Sequence, residues 1–353
     1  MKPVTIGRDI LGTKKSLRFD GQKYSWVDEP NTADVCIGCG DLRNLQELYE
    51  IFFDKIPDFV PNKYKQAFKT INASPESYMN LMPFEARKLY KSHVSSILKN
   101  VQNFLDEEYV KHFYIGQKFL NRLRPCHVDL QMLSEIKDKI PKSNTFEVVK
   151  GRLRRPVYCR NGSSTGRLTI KSGPSILTMK KEYRKIVLNA KQIDFSSMEP
   201  RLLLATQGKF PKGDLYDWIS REASLNGSRA QNKVSILASL YGSKNSIQKV
   251  DEVFSLKETF EKLNSSVENE TIRNFYGRPV KVKNSKDHKL LSLWLQSSAV
   301  DAALIGFYNF FSKSNLVPHW VIHDACIFTG IGDLPTYLDI GKEIKLPVEV
   351  SEV

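Results

Sequence analysis

The stretch Ile193–Arg201 reads IDFSSMEPR and joins an apolar, strand-like run to a segment of helical composition. The apolar run predicts a strand that ends near Phe195, and the pattern of Met198–Leu204 predicts a helix. Asp194 is therefore expected where a strand opens onto a helix. A carboxylate there can hold a metal ion, with the carbonyl oxygen of Phe195 as a further ligand. The alternative is that Asp194 merely caps the helix.

A second candidate carboxylate, Asp324, lies between two segments of strand composition, Val317–Ile322 and Ala325–Phe328. This arrangement predicts a hairpin with Asp324 at or beside its turn, although Asp is common in turns for local hydrogen bonding alone. Asp194 is far away in the sequence, yet adjacent strands of one sheet would bring the two carboxylates together. Such a pair can hold two cations roughly 4 Å apart, as in two-metal phosphoryl transfer.

A third segment, Ser228–Gly242, has the pattern of a helix that ends at its glycine. Residues at four-residue intervals lie on one helix face. That face carries two cations and then two larger side chains: Arg229, Lys233, Leu237 and Tyr241. Such a face can bind a triphosphate and then a base. An amphipathic surface helix with two ordinary cations is the alternative.

The chain has 353 residues, enough for two or three domains with a sizeable core. Lys and Arg outnumber Asp and Glu by 53 to 39, which gives a formal charge of +14. This excess favours a polyanionic partner such as nucleic acid, although ribosome-associated and membrane-surface proteins share it. The basic run within Lys137–Arg160 indicates either a phosphate-backbone contact or a solvated face.

The five cysteines argue against a disulfide framework and for a reducing compartment, because they are odd in number and spread over the chain. Cys36 and Cys39 have zinc-knuckle spacing, but no second pair nearby completes a site, and a turn is the alternative. The start of the chain lacks an apolar signal core, and no apolar run approaches the roughly 20 residues that span a bilayer. We therefore expect a soluble cytoplasmic protein with no membrane partner.

Together these segments resemble the polymerase domain of family A DNA polymerases, the DNA polymerase I-like enzymes. The resemblance covers roughly residues 163–328, about half of the chain. The family's motif A is matched by Asp194, Phe195, Ser196, Glu199 and Arg201. Its motif B is matched by Arg229, Lys233, Tyr241 and Gly242, and its motif C by His323 and Asp324. Two further segments agree, Ser164–Leu168 and Leu295–Ala299.

The resemblance implies a two-metal active site for DNA synthesis. Asp194 and Asp324 would bind two Mg²⁺ ions, with Mn²⁺ as an alternative. Arg229 and Lys233 would hold the incoming dNTP, and Lys233 would donate a proton to the pyrophosphate. Glu199 would lie beneath the sugar and exclude ribonucleotides by blocking a 2′-OH, which favours DNA synthesis over RNA synthesis.

Other matched residues would contact primer–template DNA or the nascent base pair. Tyr241 would abut the base pair, and His323 would position the primer terminus. Arg167 and Gln296 would touch the minor groove near the primer end. Arg201 is grouped with these DNA-binding residues.

Three departures from the family pattern limit the transfer. Leu237 stands where the family has Phe or Tyr, so stacking near the incoming sugar is lost, and nucleotide affinity or sugar discrimination would differ. Ala325 replaces the final Glu of motif C, which would weaken metal or primer positioning. The third departure is length, because only about 35 residues separate Arg124–Leu130, which resembles the entry to the polymerase domain, from Thr165. The thumb must therefore be greatly reduced.

A reduced thumb predicts low processivity, unless the basic segment or a processivity factor or other replisome protein holds the duplex. Residues 1–120 carry no evident exonuclease motif, so proofreading is predicted to be absent, although a degenerate exonuclease-like fold remains open. By the same resemblance, the compact size together with His288 and Ser297–Ser298 in the Gln-containing helix implies a phage-type enzyme, which would act in the host cytoplasm.

The predicted fold class is α+β: a right-hand polymerase palm with an antiparallel sheet, helical fingers, a reduced thumb and a small N-terminal mixed α/β domain. After residue 165 the expected order is strand, helices, a long helix, a hairpin and a short tail. The predicted parts are residues 1–120 (N-terminal domain), 121–163 (reduced thumb and basic connector), 164–206 (first part of the palm), 207–295 (fingers) and 296–353 (second part of the palm).

The predicted activity is template-directed addition of dNTPs to a primer 3′-OH by two-metal nucleotidyl transfer, without proofreading and with low intrinsic processivity. One alternative is a catalytically impaired, polymerase-like protein that binds DNA as a replication accessory. Another is a single-subunit polymerase with altered sugar or template specificity.

Overall fold

The computed structural model describes residues 3–7, 15–28, 35–37, 83–89, 92, 95, 108–140, 145–160, 162–243 and 246–353. The chain forms two compact units, Met1–Val110 and Lys111–Val353, so the division falls ten residues before the expected boundary at residue 120. The predicted zinc-knuckle pair lies outside the described residues, because Cys39 is not among them.

The described part of the first unit contains a four-stranded sheet. Its strands are β1 (Val4–Ile6), β2 (Ser16–Phe19), β3 (Tyr24–Val27) and β4 (Val35–Ile37). β1 is antiparallel to β2 and parallel to β4, and β3 pairs with β2. Asp20 holds the β2–β3 turn, because its Oδ1 accepts hydrogen bonds from the backbone N–H groups of Gln22 and Lys23. Residues 84–89 are helical, so this unit mixes both element types.

The remaining elements begin with a helix that leads into the second unit. The helices are α1 (Glu108–Arg122), α2 (Leu130–Ile136), α3 (Met198–Thr206), α4 (Leu215–Glu222), α5 (Arg229–Tyr241), α6 (Gln248–Val253), α7 (Leu256–Ser265) and α8 (Asp287–Phe311). The strands are β5 (Cys126–His127), β6 (Val148–Val149), β7 (Arg152–Leu153), β8 (Val157–Cys159), β9 (Thr169–Ser172), β10 (Ala190–Phe195), β11 (Thr271–Arg273), β12 (Pro279–Lys281), β13 (Val317–Ile322), β14 (Ala325–Thr329), β15 (Tyr337–Asp339) and β16 (Lys345–Glu352).

The region that the sequence assigned to a reduced thumb holds short elements. Its described residues form a three-stranded sheet with the order β5-β7-β6 and the seven-residue helix α2. Helix α2 begins at Asp129, whose side chain accepts a hydrogen bond from the N–H of Met132 (2.9 Å). Between residues 121 and 163, no helix longer than α2 begins within the described residues.

The second unit is built around a five-stranded antiparallel sheet with the strand order β13-β14-β10-β16-β15. β10 pairs with β14 so that Asp194 lies opposite Ala325, and the β13–β14 pairing places Ile322 opposite the same alanine. His323 and Asp324 therefore form a two-residue hairpin turn. This geometry confirms the hairpin that the sequence predicted.

The C-terminal segment is not the short tail that the sequence suggested. β15 and β16 complete the sheet, and β16 pairs with both β10 and β15. Buried Leu346 and Val348 alternate with exposed Lys345 and Glu349, which is the period of a strand with one buried face. Pro347 interrupts this run and weakens its strand signal, since proline is unusual inside sheets.

The 25-residue helix α8 belongs to two cores. Leu290, Leu291 and Leu295 pack into the buried cluster that also contains residues of α4 to α7. Further along, the ring of Phe307 lies 5.5 Å from that of Phe195 in β10. By length and composition α8 could cross a membrane, which the sequence interpretation did not anticipate, but 72% of its most apolar window is buried inside the protein. A helix that is apolar on all sides is typical of a protein core.

Local sequence explains how α4 and α5 begin and end. The side chain of Asp214 caps α4 by accepting a hydrogen bond from the N–H of Asp217 (2.9 Å). α5 begins with a capping box between Ser228 and Gln231. It ends at Gly242, whose φ of 76° lies in the left-handed region that glycine tolerates. The predicted end of this helix is therefore confirmed.

Candidate active site

Asp194 and Asp324 meet at one end of the five-stranded sheet. Asp194 is the penultimate residue of β10, and Asp324 lies in the turn that leads into β14, the strand that pairs with β10. The backbone N–H of Phe195 donates to the carbonyl oxygen of Asp324 (3.3 Å). Strand pairing thus brings together the two carboxylates that the sequence singled out.

Residues with a left-handed backbone lie close to both carboxylates. His323 has a φ of 58°, and Ser197, which precedes α3, has a φ of 52°. Such conformations cost roughly 1–3 kcal/mol for a non-glycine residue and concentrate at functional sites. Burial lowers the pKa of His323, although the charge of Asp324 acts in the opposite direction. Ten other non-glycine residues of the described chain share this conformation, so it agrees with a site at the turn and the strand–helix junction without identifying one.

Burial opposes ionisation of both carboxylates, and the charge of Asp324 adds to this effect at Asp194. Burial, followed by the charge of Asp324, raises the pKa of Asp194 to about 6, although Lys181 and Arg184 act in the opposite direction. Burial also raises the pKa of Asp324. A cation bound beside both groups would relieve this repulsion, because an opposite charge favours the ionised form.

A chain of hydrogen bonds orients Asp194. Gln192 Nε2 donates to Asp194 Oδ2 (3.2 Å), and Arg184 Nη1 donates to Gln192 Oε1 (2.9 Å). The sequence interpretation missed both Gln192 and Arg184. For Gln192, the sequence does contain a signal. Gln192 precedes Asp194 by two residues on a predicted strand, so the two side chains share one face of the strand.

A cavity of about 250 Å³ opens beside Asp324, and Asp194 is not among its lining residues. Five residues that the sequence assigned to the site line this cavity: Arg167, Glu199, Gln296, His323 and Asp324. The other lining residues are apolar and come from α3, α8 and the segments around β9. The structure thus gathers into one cavity residues from four separate segments of the sequence.

Glu199 is held by two partners at the cavity. The hydroxyl of Tyr241 donates a hydrogen bond to Glu199 Oε2, and Nη2 of Arg167 lies 3.6 Å from Glu199 Oε1. Burial, followed by the charge of Glu199, raises the pKa of Tyr241, so its hydroxyl remains a donor. These contacts connect α3, α5 and the loop that carries Arg167.

The loop that carries Arg167 rests on a buried ionic cluster. Gly166 has a φ of 72°, and a Cβ atom there would lie 1.6 Å from Nη1 of Arg278. Asp301 of α8 lies 2.9 Å from Arg160 and 4.0 Å from Arg278, with all three side chains at most 2% exposed. Arg160 is therefore a core residue, which corrects its inclusion in a surface run that contacts phosphate.

Arg229 and Lys233 are exposed on the first turns of α5. Nε of Arg229 donates to the carboxylate of Asp214 (3.1 Å), the residue that caps α4. The ring centroid of Tyr216 lies 5.8 Å from the guanidinium of Arg229 and 5.1 Å from Nζ of Lys233. Asp214 thus positions Arg229, and Tyr216 lies against both cations. The sequence interpretation missed these two residues, because no local pattern pairs α4 with this face of α5.

The placement of Arg201 argues against the predicted DNA contact. Arg201 is only 4% exposed, and its two Nη atoms donate to the carbonyl oxygens of Pro211 and Gly213. Its guanidinium is therefore committed to a loop of the protein.

At the two departures from the family pattern, Leu237 packs against the helical core, and Ala325 is buried in the sheet.

The carboxylate pair suits a magnesium-type cation. Across the part of the chain that the structure describes, no group of three or more His, Cys, Asp or Glu side chains could hold a metal ion. Mg²⁺ does not require such a group, because it typically binds through one or two carboxylates, waters and substrate phosphates. Asp194 and Asp324 supply oxygen ligands of this kind, and the carbonyl of Phe195 stays a predicted further ligand. The donor set and the repulsion between the carboxylates both fit such an ion.

The whole fold is similar to a solved polymerase domain. The structure described as the POL domain of Pol1 from M. smegmatis, in complex with DNA primer-template and dNTP, matches with a TM-score of 0.57 at 11% sequence identity. The match covers 99% of this chain and 94% of that chain. No family model and no curated protein match the sequence. The comparison shows that the chain has the fold of a DNA polymerase POL domain, and identity this low shows the fold alone.

Proposed function

We propose that the protein is a template-directed DNA polymerase that adds dNTPs to a primer 3′-OH. The observation that supports this proposal most strongly is the cavity in which Arg167, Glu199, His323 and Asp324 meet, with Asp194 on the strand that pairs beside Asp324. The polymerase fold agrees with it. Because the compared structure contains primer-template DNA and dNTP, we propose these as the partners of this chain.

In the proposed reaction, the primer 3′-oxygen bonds to the α-phosphorus of the dNTP while the bond to pyrophosphate breaks. Asp194, Asp324 and the carbonyl of Phe195 would hold two Mg²⁺ or Mn²⁺ ions. When bound, such ions activate the 3′-OH and neutralise charge on the phosphates. The raised pKa of Asp194 supports this role, because a carboxylate that resists ionisation when alone gains most from a neighbouring cation.

The exposed face of α5 would bind the triphosphate. Arg229 and Lys233 lie on the same side of the helix, beside Tyr216, so they can contact successive phosphates. Lys233 would donate a proton to the departing pyrophosphate. Tyr241, two turns further along α5, would abut the nascent base pair. Positioned cations of this kind stabilise the charge of a phosphoryl-transfer transition state.

Glu199 would select the sugar of the incoming nucleotide. Its carboxylate is held between Tyr241 and Arg167 at the cavity, so a sugar 2′-OH there would meet a fixed obstacle. Around the same cavity, Gln296 and Arg167 would contact the minor groove near the primer end, and His323 would position the primer terminus. We further propose a compact phage-type enzyme without proofreading and with low processivity.

The experiment that tests the function uses primer–templates that differ only in the first templating base. The purified protein is incubated with Mg²⁺ and each single dNTP or NTP, and the extended primers are resolved. We expect the complementary dNTP to be added to each template in preference to the matching NTP. Addition without regard to the template, or equal use of NTPs, would contradict the proposal.

A DNA-binding accessory without catalysis is the second candidate. The observations that favour it are Leu237 and Ala325, which replace an aromatic residue and a carboxylate of the family pattern. Under this alternative the protein binds the same primer–templates but extends none of them.

A further inference from the structure

A second, larger cavity lies at the β15 edge of the five-stranded sheet, whereas β13 forms the other edge. This groove has a volume of about 820 Å³. Its walls are β15, the start of β16, the C-terminal end of α8 and the loop that follows α3. None of its lining residues lines the cavity at Asp324. The groove is therefore a separate surface from the candidate active site.

The loop that forms one wall of the groove is held firmly. Arg201 is buried and donates to the carbonyl oxygens of Pro211 and Gly213. Lys209 Nζ donates to the carbonyl oxygen of Val253 (2.7 Å). Phe210 lies between these anchored positions and yet is 57% exposed. The loop thus presents an aromatic ring to solvent instead of burying it.

Other apolar side chains line the groove together with Phe210. Leu334 is 42% exposed and Tyr337 is 49% exposed. Single exposed apolar residues are normal on protein surfaces, but several that share one concave surface are characteristic of an interaction site. The groove therefore has an apolar centre that a partner can cover.

The charge around this apolar centre is strongly positive. The described residues of the lining include five cationic side chains and a single acidic one, Asp339. Lys212, Lys313 and Lys345 are exposed, and none of them has an ion-pair partner among the described residues. A partner that fits the groove must therefore combine acidic groups with apolar ones.

The apolar lining and the committed arginine of the groove favour a peptide over a nucleic acid. β15 is an edge strand, paired on one side with β16, but Asn309 Nδ2 already donates to the carbonyl oxygen of Asp339 (2.9 Å), so side-chain contacts and not strand addition would hold the peptide. Pro335 and Pro347 add to the apolar lining. The arginine of the groove, Arg201, already has both Nη atoms bonded to carbonyls, so it offers no free fork for a phosphate.

We propose that this groove is a docking site for an extended acidic segment of a partner protein. An apolar side chain of that segment packs among Phe210, Leu334 and Tyr337, and its carboxylates pair with Lys212 and Lys313. Docking there leaves the cavity at Asp324 open, because the two surfaces share no residue.

The test uses a fluorescein-labelled peptide that combines Asp and Glu with one Leu and one Phe, and fluorescence anisotropy reports its binding. The variant Lys212→Glu/Lys313→Glu reverses two exposed charges of the groove. The matched control, Lys257→Glu/Lys283→Glu, makes the same charge change at exposed lysines outside it. Circular dichroism verifies that each variant is folded, and primer extension is measured in parallel.

We expect the groove variant to bind the peptide about tenfold more weakly, because two ion pairs are replaced by repulsions. The control variant and the unmodified protein are expected to bind it equally, and a peptide with Ser in place of Leu and Phe should bind weakly. Phe210→Ser tests the apolar centre independently of charge. Unchanged primer extension in the groove variant would separate docking from catalysis.

Three results would overturn the proposal. The first is that the unmodified protein fails to bind the acidic peptide at low ionic strength. The second is that the groove variant and the control variant bind it equally. The third is that a short oligothymidylate, and not the peptide, depends on Lys212 and Lys313, which would identify the groove as a nucleic-acid surface. Each result concerns the groove alone, whatever the outcome of the primer-extension assay.

Discussion

At the scale of single residues, the carboxyl pair is the feature on which the proposed chemistry depends. Asp194 and Asp324 are held close together by strand pairing although burial raises the pKa of both and the charge of Asp324 raises that of Asp194 further. A folded protein tolerates such repulsion where a bound ion offsets it, and perturbed carboxyl groups in a cleft are typical of functional sites.

The pKa of Asp194 predicts how the metal-free protein depends on pH. The folded value of about 6 exceeds the value of about 3.9 for an unfolded Asp. The folded state therefore binds more protons in this window, and stability falls as the pH rises from about 4 to about 6. We expect Asp194→Asn to be more stable than the unmodified protein by about 1–2 kcal/mol near pH 7.5, and about equal to it near pH 4.

Urea unfolding in the presence of a chelator measures this difference. Adding Mg²⁺ supplies the control, because an ion that binds the folded state stabilises it by mass action. Mg²⁺ should raise the unfolding midpoint of the unmodified protein and leave that of Asp194→Asn unchanged. If Asp194→Asn were less stable than the unmodified protein at neutral pH, the carboxyl repulsion described above would be wrong.

Tyr241 supports a second prediction, on sugar selection. Tyr241→Phe removes the hydroxyl that donates to Glu199, and a hydrogen bond to a charged group contributes about 1.5–3 kcal/mol. The freed carboxylate should exclude a 2′-OH less effectively, so we expect discrimination against NTPs to fall by about tenfold. Single-nucleotide incorporation kinetics measure the ratio. In Glu199→Ala, discrimination against NTPs should fall by at least as much. Unchanged discrimination in both variants would show that Glu199 does not exclude ribonucleotides.

The site residues that could be predicted from the sequence were those whose side chains carry a charge. Asp194, Asp324, Arg229 and Lys233 were identifiable because each carries a charge within a recognisable segment. Of their supporting partners, Gln192 was signalled only by its two-residue spacing from Asp194, and Asp214 and Tyr216 act through contacts that no local spacing encodes. Arg201 shows the opposite error, since a charged residue in a recognisable segment is committed to holding a loop.

At the scale of elements, Asp214 connects two helices. It caps α4 through the N–H of Asp217 and holds Arg229 at the start of α5. The cap stabilises α4 whether the side chain is Asp or Asn, whereas the ion pair requires the charge. One residue thus couples the folding of α4 to the position of Arg229, the cation that we propose binds the triphosphate.

Two substitutions of Asp214 separate these contributions. Asp214→Ala should lower the free energy of unfolding by about 1 kcal/mol through loss of the cap, while Asp214→Asn should change it by less than about 0.5 kcal/mol. Both should raise KM for dNTP by about threefold, because both release Arg229. Chemical denaturation and steady-state kinetics provide the two measurements. An unchanged KM in both variants would show that Asp214 does not position Arg229 for the nucleotide.

Element prediction succeeded where the pattern was long or carried a turn signal. Helix α5 and the hairpin at Asp324 are in the predicted places, because a capping residue, a final glycine and two flanking strands define them. The strands β15 and β16 were missed, since each depends on pairing with a distant strand and β16 contains Pro347. The burial of Arg160 could not be predicted from the sequence either, because its ion-pair partner Asp301 is distant in the sequence.

At the scale of the whole molecule, the formal charge of +14 predicts binding to DNA that weakens with salt. We expect the logarithm of the DNA affinity to fall linearly with the logarithm of the salt concentration, with a slope steeper than about −4, equivalent to roughly five phosphates. Fluorescence anisotropy with labelled primer–template measures it. Replacing exposed Lys139 or Arg152 by Ala should reduce the slope by about 1 each. An unchanged slope would show that this basic segment is only a solvated face.

The polymerase fold and the carboxylate pair together support the central proposal. We propose that this molecule catalyses primer extension at Asp194 and Asp324. The most direct measurement is single-turnover extension of a labelled primer–template by the unmodified protein, Asp194→Ala and Asp324→Ala, with Mg²⁺ and dNTPs. We expect extension by the unmodified protein and a loss of at least about 10³-fold in either variant, with DNA binding retained. Extension that survives both substitutions, or its absence in an unmodified protein that binds the DNA tightly, would contradict it.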